Sequence, residues 1–361
     1  MKALVLKSPE NLELMDVPKP VAGPGQVLVK VHKCGICGSD LRYLAGENPW
    51  AKHTLGKNIP NPPNIILGHE FVGTVVEAGD PSDKALVGKR VGVNTFLTCG
   101  RCHHCRSGHE NFCTQTRHLG HGQGWGKMDL YPGGMAEYCP AFAGQVYELP
   151  EGMTDEQAAL LDPLVASVHA VDVGGPGLLD SVAVIGAGPI GLLIVQLAKA
   201  RGAAATFITD VAEPNVAVAK RLGADHALNV ADGRARLSDV VARETEGRGV
   251  ERAFDTVGSH ETMLEGLRIL TTRGVLVMMA TKEDEIRFPA LMLSGERTIK
   301  TSTNSLYSDF PRAIELVRSG LVKVEPLITH RFALSDGVAA FEVATDKART
   351  GAIKVLLDCQ A

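Results

Sequence analysis

Eight cysteines occur in this 361-residue chain, and four of them fall within CGRCHHCRSGHENFC at 99–113. Cys99, Cys102, Cys105 and Cys113 have the form C-x2-C-x2-C-x7-C. Thiolates bind Zn²⁺ at about 2.3 Å, and four around one ion make a closed tetrahedron with no vacancy for a substrate. Two-residue spacers let the loop wrap the ion while backbone N–H groups stabilise the sulfurs. The competing readings are disulfides, rare in a reducing compartment, and an iron–sulfur cluster, which uses the same ligands. Structural zinc is the expected role. The neighbouring His103, His104 and His109 are unnecessary to a site that already has four sulfurs.

A second pattern, GAGPIG at 186–191, fits G-x-G-x-x-G between an apolar strand signal, SVAVI, and a helical one. In that setting Gly186 makes the tight turn, Gly188 lets backbone approach a pyrophosphate, and Gly191 allows close helix–strand packing. Pro189 and Ile190 open the helix, whose free N–H groups favour phosphates. Asp210 ends the next strand signal, ATFITD, at about the 20-residue offset where a carboxylate accepts from the adenosine ribose hydroxyls. It would repel a 2′-phosphate, and no Arg or Lys follows until Lys220. NAD is therefore the expected cofactor. The alternative is a turn aspartate facing solvent.

The elements that must position these groups change along the chain. To about residue 150 it reads as short β-branched runs broken by glycine and proline, among them QVLVKVHKCG, FVGTVVEAGD and KRVGVNTF. That predicts an all-β, loop-rich domain. At ELPEGMTDEQAALL the pattern turns helical, with Thr154 as N-cap and Gln157 completing a capping box. From Ser181 strand signals alternate with helical ones, which predicts a parallel sheet with crossover helices. SDFPRAIELVRSGL predicts a further helix, and two strand-like runs follow it.

The net charge of −4 and the interspersed acidic and basic residues give no reason to expect nucleic acid or an anionic membrane as partner. The segment MKALVLKSPENLELMDVP has no secretory pattern, and no apolar run approaches the ~20 residues of a membrane span. A cytoplasmic location is expected.

Cys37 in KCGICGSD and His69-Glu70 in ILGHE carry little signal alone, since a lone cysteine is usually a small buried hydrophobe. Phe71, Val72 and Gly73 follow, so the pair does not begin H-E-x-x-H. Taken together, KCGICGSD, GHEFVGTVVEAG, the cysteine loop, AALLDPL and VAVIGAGPIGLL occur in order over nearly the whole chain. In this they resemble the zinc-dependent medium-chain alcohol and polyol dehydrogenases, nearest the sorbitol, threonine and butanediol dehydrogenase branches. The resemblance implies an α/β plus all-β chain. A GroES-like β-barrel catalytic domain would comprise residues 1–163 and 304–361. A Rossmann domain, a doubly wound parallel sheet for NAD, would comprise 164–303, with a cleft between the two.

The resemblance further implies that Cys37 and His69 are catalytic zinc ligands and that Glu70 approaches or exchanges onto the metal. Asp162 in LLDPL stands where the polyol branch has a glutamate. Aspartate is one methylene shorter, so direct and water-mediated ligation both stay open, beside an N-cap role before Pro163. Ser39 resembles the hydroxyl linking substrate to a proton relay, and Asp40 is placed to orient His69. Val257 joins the cofactor-facing set. Many relatives have a histidine where this chain has Arg42, which stays protonated and cannot shuttle a proton. The relay beyond Ser39 would then run through water or the cofactor ribose. Cys34 matches a family cysteine that is not a ligand, and Cys139 and Cys359 carry no motif.

The expected activity is hydride transfer between NAD and a secondary alcohol or ketone, with two zinc ions per chain, one catalytic and one structural. Thr95, His118, His121 and Gln123 are implied near the pocket, and such polar groups favour a polyol, sugar or cyclitol. The insertion ENPWAKHTLGKNIPNPPN would shape its entrance. Relatives pair subunits through edge strands, here around 274–301, so a homodimer or homotetramer is expected. Two other readings stand: an NADP-dependent sugar or aldehyde dehydrogenase on the same scaffold, and a non-catalytic cofactor-binding protein.

Overall fold

The computed structural model describes residues 1–57, 59–280 and 285–361. The chain divides into two compact units: Met1–Asp162 with Leu306–Arg318 and Ile328–Ala361, and Pro163–Ser305 with Ser319–Leu327. Sequence reasoning placed all of 304–361 with the first unit, yet Ser319–Leu327 groups with the second. The cause is local. Gln196, buried in the helix Pro189–Ala200, accepts the Lys323 backbone N–H at 2.8 Å and donates to its carbonyl at 3.1 Å.

Among the described residues the main sheet of the first unit has seven strands. Six run in the order Val146–Glu148, Arg90–Val93, Glu70–Ala78, Gln26–Ile36, Lys354–Asp358, Ile328–Ala333, and Tyr138–Phe142 also pairs with Gln26–Ile36. The β-branched runs supply its core: Val27, Val29, Val31, Val75 and Val91 are fully buried, as such residues pack well on a pleated surface. The strand Lys354–Asp358 lies antiparallel to Gln26–Ile36, with Val355 opposite Ile36 and Leu357 opposite Cys34. The capping box forms as its spacing predicts. Thr154 Oγ1 accepts the Gln157 N–H at 3.1 Å and Gln157 Oε1 accepts the Thr154 N–H at 2.9 Å. Asp155, the first residue of that helix, ties it to the sheet through Arg90 at 2.6 Å and His32 at 2.8 Å.

In the second unit six parallel strands run in the order His226–Asn229, Ala205–Asp210, Ser181–Ile185, Val250–Asp255, Leu270–Met278, Thr298–Thr301. Numbered along the chain that order is 3-2-1-4-5-6, a doubly wound sheet. Val182, Ala183 and Val184 are fully buried, which is why SVAVI reads as an unbroken apolar run. The strand order reverses beside Ser181–Ile185, the place where such sheets bind ligands. GAGPIG follows directly. Among the described residues no helix is long and apolar enough to cross a membrane.

Candidate active site and metal centres

The strand Gln26–Ile36 ends one residue before Cys37, which stands at the N-terminus of the helix Gly38–Leu44. Asp40, fully buried, accepts the Cys37 N–H at 2.8 Å through one carboxylate oxygen and the Gly68 N–H at 3.3 Å through the other. One carboxylate thus joins the turn that carries Cys37 to the turn that carries His69. Glu70 begins the adjacent strand, opposite Gly35. A Cβ at Gly35 would collide with Glu70 Oε2, so glycine there leaves room for the glutamate. The ligand atoms of Cys37, His69 and Glu70 lie within 4.8 Å of one another, and Ser39 Oγ is 3.3 Å from His69 Nε2. Sulfur, imidazole and carboxylate are the donors zinc prefers.

Asp162 does not join this set. It is half-buried in the first turn of the helix Leu161–Gly174. Loss of hydration pushes its carboxyl up to about 6, with His69 and Lys354 opposing the shift and Glu70 and Asp40 adding to it.

Sequence reasoning missed Lys354. Its ammonium donates to both oxygens of Glu70, at 2.6 and 2.8 Å, and to the Ile36 carbonyl at 3.2 Å. The side chains of lysine and glutamate are only 3 % and 1 % exposed. Burial disfavours the ammonium charge, but Glu70 and Cys37 more than offset this and raise its pKa. The signal available was a single lysine inside the apolar run AIKVLL, since a buried charge must find a partner.

Three histidines surround the same place. His69 Nδ1 lies 3.1 Å from His121 Nε2 and 3.5 Å from Asp40 Oδ1. His121 is stacked between Tyr43 and His118, with ring centroids 4.5 and 4.1 Å apart. His118 Nδ1 faces the Leu119 carbonyl at 2.7 Å, so that nitrogen carries its proton. Burial pushes His118 down to about 3 and His121 well below its ordinary value. Both are neutral at pH 7. Burial also disfavours charge on His69, yet Asp40 and Cys37 outweigh it and raise its pKa. Among the described residues Thr95 Oγ1 and His121 Nδ1 are buried without a hydrogen-bond partner. Gln123 is half-buried, and its carbonyl accepts the His118 N–H at 2.9 Å. Arg42 donates to Glu47 at 2.8 and 3.1 Å, which fixes the start of the 47–64 insertion. Of that insertion, Asn58 lies outside the described residues.

The four clustered cysteines are free of disulfides and their sulfurs lie within 4.8 Å of one another. Cys102 and Cys105 are 3.4 Å apart and Cys99 and Cys105 4.0 Å, which bracket the edge of about 3.8 Å that a tetrahedral zinc with 2.3 Å bonds requires. The N–H of Cys99 points at Cys113 Sγ and that of Cys102 at Cys99 Sγ, both at 3.4 Å. Backbone N–H groups of Arg101 and Cys102 pull Cys99 down to about 6, toward the thiolate a metal needs. His103, His104 and His109 stay outside the set.

At the glycine-rich turn Gly186 has φ +98° and Gly188 has open space around its Cα, while a Cβ at Gly191 would strike the Gly186 carbonyl. Pro189 opens the helix and Ile190 follows it. Val257, 39 % exposed, packs along Gly186. Asp210 accepts N–H groups from Ala187 at 2.7 Å and Ala212 at 2.9 Å, so its carboxylate reaches back under the turn.

Comparison with known proteins agrees with these features. Residues 23–151 match the alcohol dehydrogenase GroES-like domain and residues 189–319 the zinc-binding dehydrogenase domain. The chain is 33 % identical to L-threonine 3-dehydrogenase of Saccharopolyspora erythraea, over 99 % of both chains. It is 31 % identical to sorbitol dehydrogenase of Macaca fascicularis, over 99 % of this chain and 95 % of that one. An alcohol dehydrogenase of E. coli CFT073 complexed with NADH superposes with a TM-score of 0.86 at 28 % identity, covering 99 % of each chain. A zinc-binding dehydrogenase of Sinorhizobium meliloti 1021 bound to NADP gives 0.86 at 29 % identity, covering 99 % and 98 %. The chain belongs to the zinc-dependent medium-chain alcohol and polyol dehydrogenase family, with a GroES-like domain joined to a Rossmann domain.

Proposed function

We propose that this chain oxidises a secondary hydroxyl of a polyol, sugar or cyclitol with NAD, and runs the reverse reduction. Cys37, His69 and Glu70 form the open zinc site in this reading, and the loop at 99–113 holds a structural zinc. The observation that carries it is the gathering of thiol, imidazole and carboxylate within 4.8 Å, beside the Ser39 hydroxyl. When bound, zinc supplies Lewis acidity and NAD a hydride acceptor.

The chain's own groups do the rest. Ser39 Oγ takes the substrate hydroxyl proton. Arg42, held by Glu47, cannot pass it on, so it leaves through water or the cofactor ribose. Asp40 keeps the Cys37 and His69 turns at a fixed separation, and Lys354 balances the charge of Glu70. Asp162 contributes through its field or through a bridging water. Asp210 meets the adenosine ribose of NAD, and Val257 with the Gly186 turn lines the cofactor.

The relatives' names point to substrates with a secondary hydroxyl near a second polar group. Thr95 Oγ1 and His121 Nδ1, buried and unpartnered among the described residues, fit hydroxyls better than the charged ends of an amino acid. The exposed edge strand Thr298–Thr301 supports pairing of two copies into a homodimer; residues 281–284 of the expected 274–301 contact lie outside the described residues. We place the enzyme in the cytoplasm, where the free thiols at 99–113 stay reduced.

The test is a panel of polyols, sugars, simple alcohols and threonine with NAD and NADP, followed by absorbance of the reduced cofactor. Polyols with NAD should turn over best, and tighter binding of NADP would overturn the role of Asp210. Cys37→Ser should abolish turnover, keep the circular dichroism of the parent and lower bound zinc from about two ions per chain to about one. Full turnover in that variant would sink the assignment.

A further inference from the structure

We propose that Asn48 reads the substrate, its side-chain Nδ2 donating to a hydroxyl oxygen on the carbon beside the one oxidised. The inference rests on the reading of this chain as a polyol, sugar or cyclitol dehydrogenase. It goes further by naming the residue that selects that class.

Asn48 is the second residue of the 47–64 insertion and is 1 % exposed. Its amide can face only one way. The Ala51 backbone N–H points at one end of it at 3.0 Å, and since that group can only donate, this end is the oxygen, Oδ1. The Tyr43 hydroxyl donates to the same oxygen at 3.3 Å. Burial pushes the Tyr43 pKa up, so the hydroxyl keeps its proton. Nδ2 is thus the free end, buried and without a hydrogen-bond partner among the described residues. An orphaned donor in such a place is costly, and a ligand that accepts from it removes the cost.

The backbone around Asn48 is pinned. Its carbonyl accepts the Lys52 N–H at 3.1 Å, and the preceding Glu47 donates its N–H to the Arg42 carbonyl at 2.9 Å. Asn61 Nδ2 donates to the Glu47 carbonyl at 2.6 Å. Rings connect this position to the candidate metal site: Tyr43 stacks on His121 at 4.5 Å, and His121 meets His69 edge-on at 4.5 Å. Thr95, whose Oγ1 is also unpartnered among the described residues, reaches the same stack from another strand. Its carbonyl accepts the N–H of Leu119 at 2.9 Å, next to the His118 that stacks on His121.

An amide NH2 only donates, so it discriminates by what the neighbouring carbon of the substrate carries. A hydroxyl oxygen accepts from it. A methylene leaves Nδ2 unpaired, which such a site rejects. An ammonium group, as in an amino alcohol, sets donor against donor.

The experiment uses the full chain with its metal, NAD and xylitol, together with butane-2,3-diol, butan-2-ol and 3-aminobutan-2-ol. The last three differ only at the carbon beside the reacting one. They share metal and cofactor, so ratios of kcat/KM cancel effects common to all. Asn48→Asp keeps an oxygen for Ala51 and Tyr43 and turns the free end from donor to acceptor; Asn48→Leu removes both ends. A thermal melt establishes that each variant is folded. The parent should favour the diol over the other two. Asn48→Asp should cut the diol-to-butan-2-ol ratio roughly 10- to 30-fold and raise the amino alcohol relative to the diol. Asn48→Leu should show the first change without the second. A parent indifferent between diol and butan-2-ol, or ratios within about twofold of the parent in Asn48→Asp, would overturn the proposal. If the parent oxidises neither xylitol nor the diol, the polyol reading falls and this proposal with it. Turnover of both with unchanged ratios in Asn48→Asp defeats only the role of Asn48.

Discussion

Glu70 and Lys354 bury opposite charges 2.6 Å apart, in a place that holds three further ionisable groups, Cys37, Asp40 and His69. Removing one member of such a pair leaves the other charged and dry, which costs about 3–5 kcal/mol. Lys354→Met should lower unfolding stability by that order in urea titrations, and Glu70→Gln/Lys354→Met should recover a good part of it. A double variant no more stable than the single one would show that the pair is not coupled. At this scale the sequence was legible where chemistry is packed locally. Cys99, Cys102, Cys105 and Cys113 need only a loop to meet, and Cys37, His69 and Glu70 stood out through the motifs around them. Lys354 did not, because its partner is 284 residues away and no local spacing points to it. Asp162 lay in a recognisable motif, yet its carboxylate stays outside the set formed by the other three.

The helix Asp155–Ala159 is five residues long and would not persist alone. Its capping box and the attachment of Asp155 to the sheet hold it in place. His32 and Arg90 hold the Asp155 carboxyl down at about 2 against its partial burial. The folded value lies below the unfolded value of 3.8, so this contribution is complete above that pH and fades as pH falls from there toward 2. It amounts to about 1–2 kcal/mol. Asp155→Asn should therefore melt lower than the parent at pH 7, with the gap closing as pH drops below about 4; a gap independent of pH would refute the ion pair.

Glycines act at the same scale. Gly191→Ala drives a methyl group into the Gly186 carbonyl, and backbone cannot yield as a side chain can. Overpacking of this kind costs roughly 1–3 kcal/mol. We expect NADH affinity, read by the fluorescence of its reduced nicotinamide, to fall at least tenfold, about 1.4 kcal/mol. The strands and the glycine turn were readable from pattern alone. The docking of Ser319–Leu327 was not, because it depends on Gln196, a polar residue inside an otherwise apolar helix.

For the whole molecule, the alternation of strand and helix signals predicts a parallel sheet with crossover helices, whereas the order 3-2-1-4-5-6 is read from the structure, since alternation alone fits more than one doubly wound order. The resemblance implied only that 304–361 completes the first domain; the placement of Lys354–Asp358 beside Gln26–Ile36 had no local cue and is read from the structure. The two metal sites differ in closure, and this predicts two stages of metal loss. A chelator should strip the open site first, ending turnover with little change in melting temperature. The four-thiolate ion should leave later and carry a fall in melting temperature with it, since such sites contribute folding energy outright. Simultaneous loss, followed by metal analysis and calorimetry on the same samples, would contradict separate roles.

The long reach between Glu70 and Lys354 also sets an order of events during synthesis. A ribosome releases the glutamate 284 residues ahead of its counter-charge. Until the lysine emerges, that carboxylate must stay hydrated. The nascent chain can therefore wrap an ion at 99–113 early, whereas the buried charge pair beside Cys37 cannot form until the strand Lys354–Asp358 arrives.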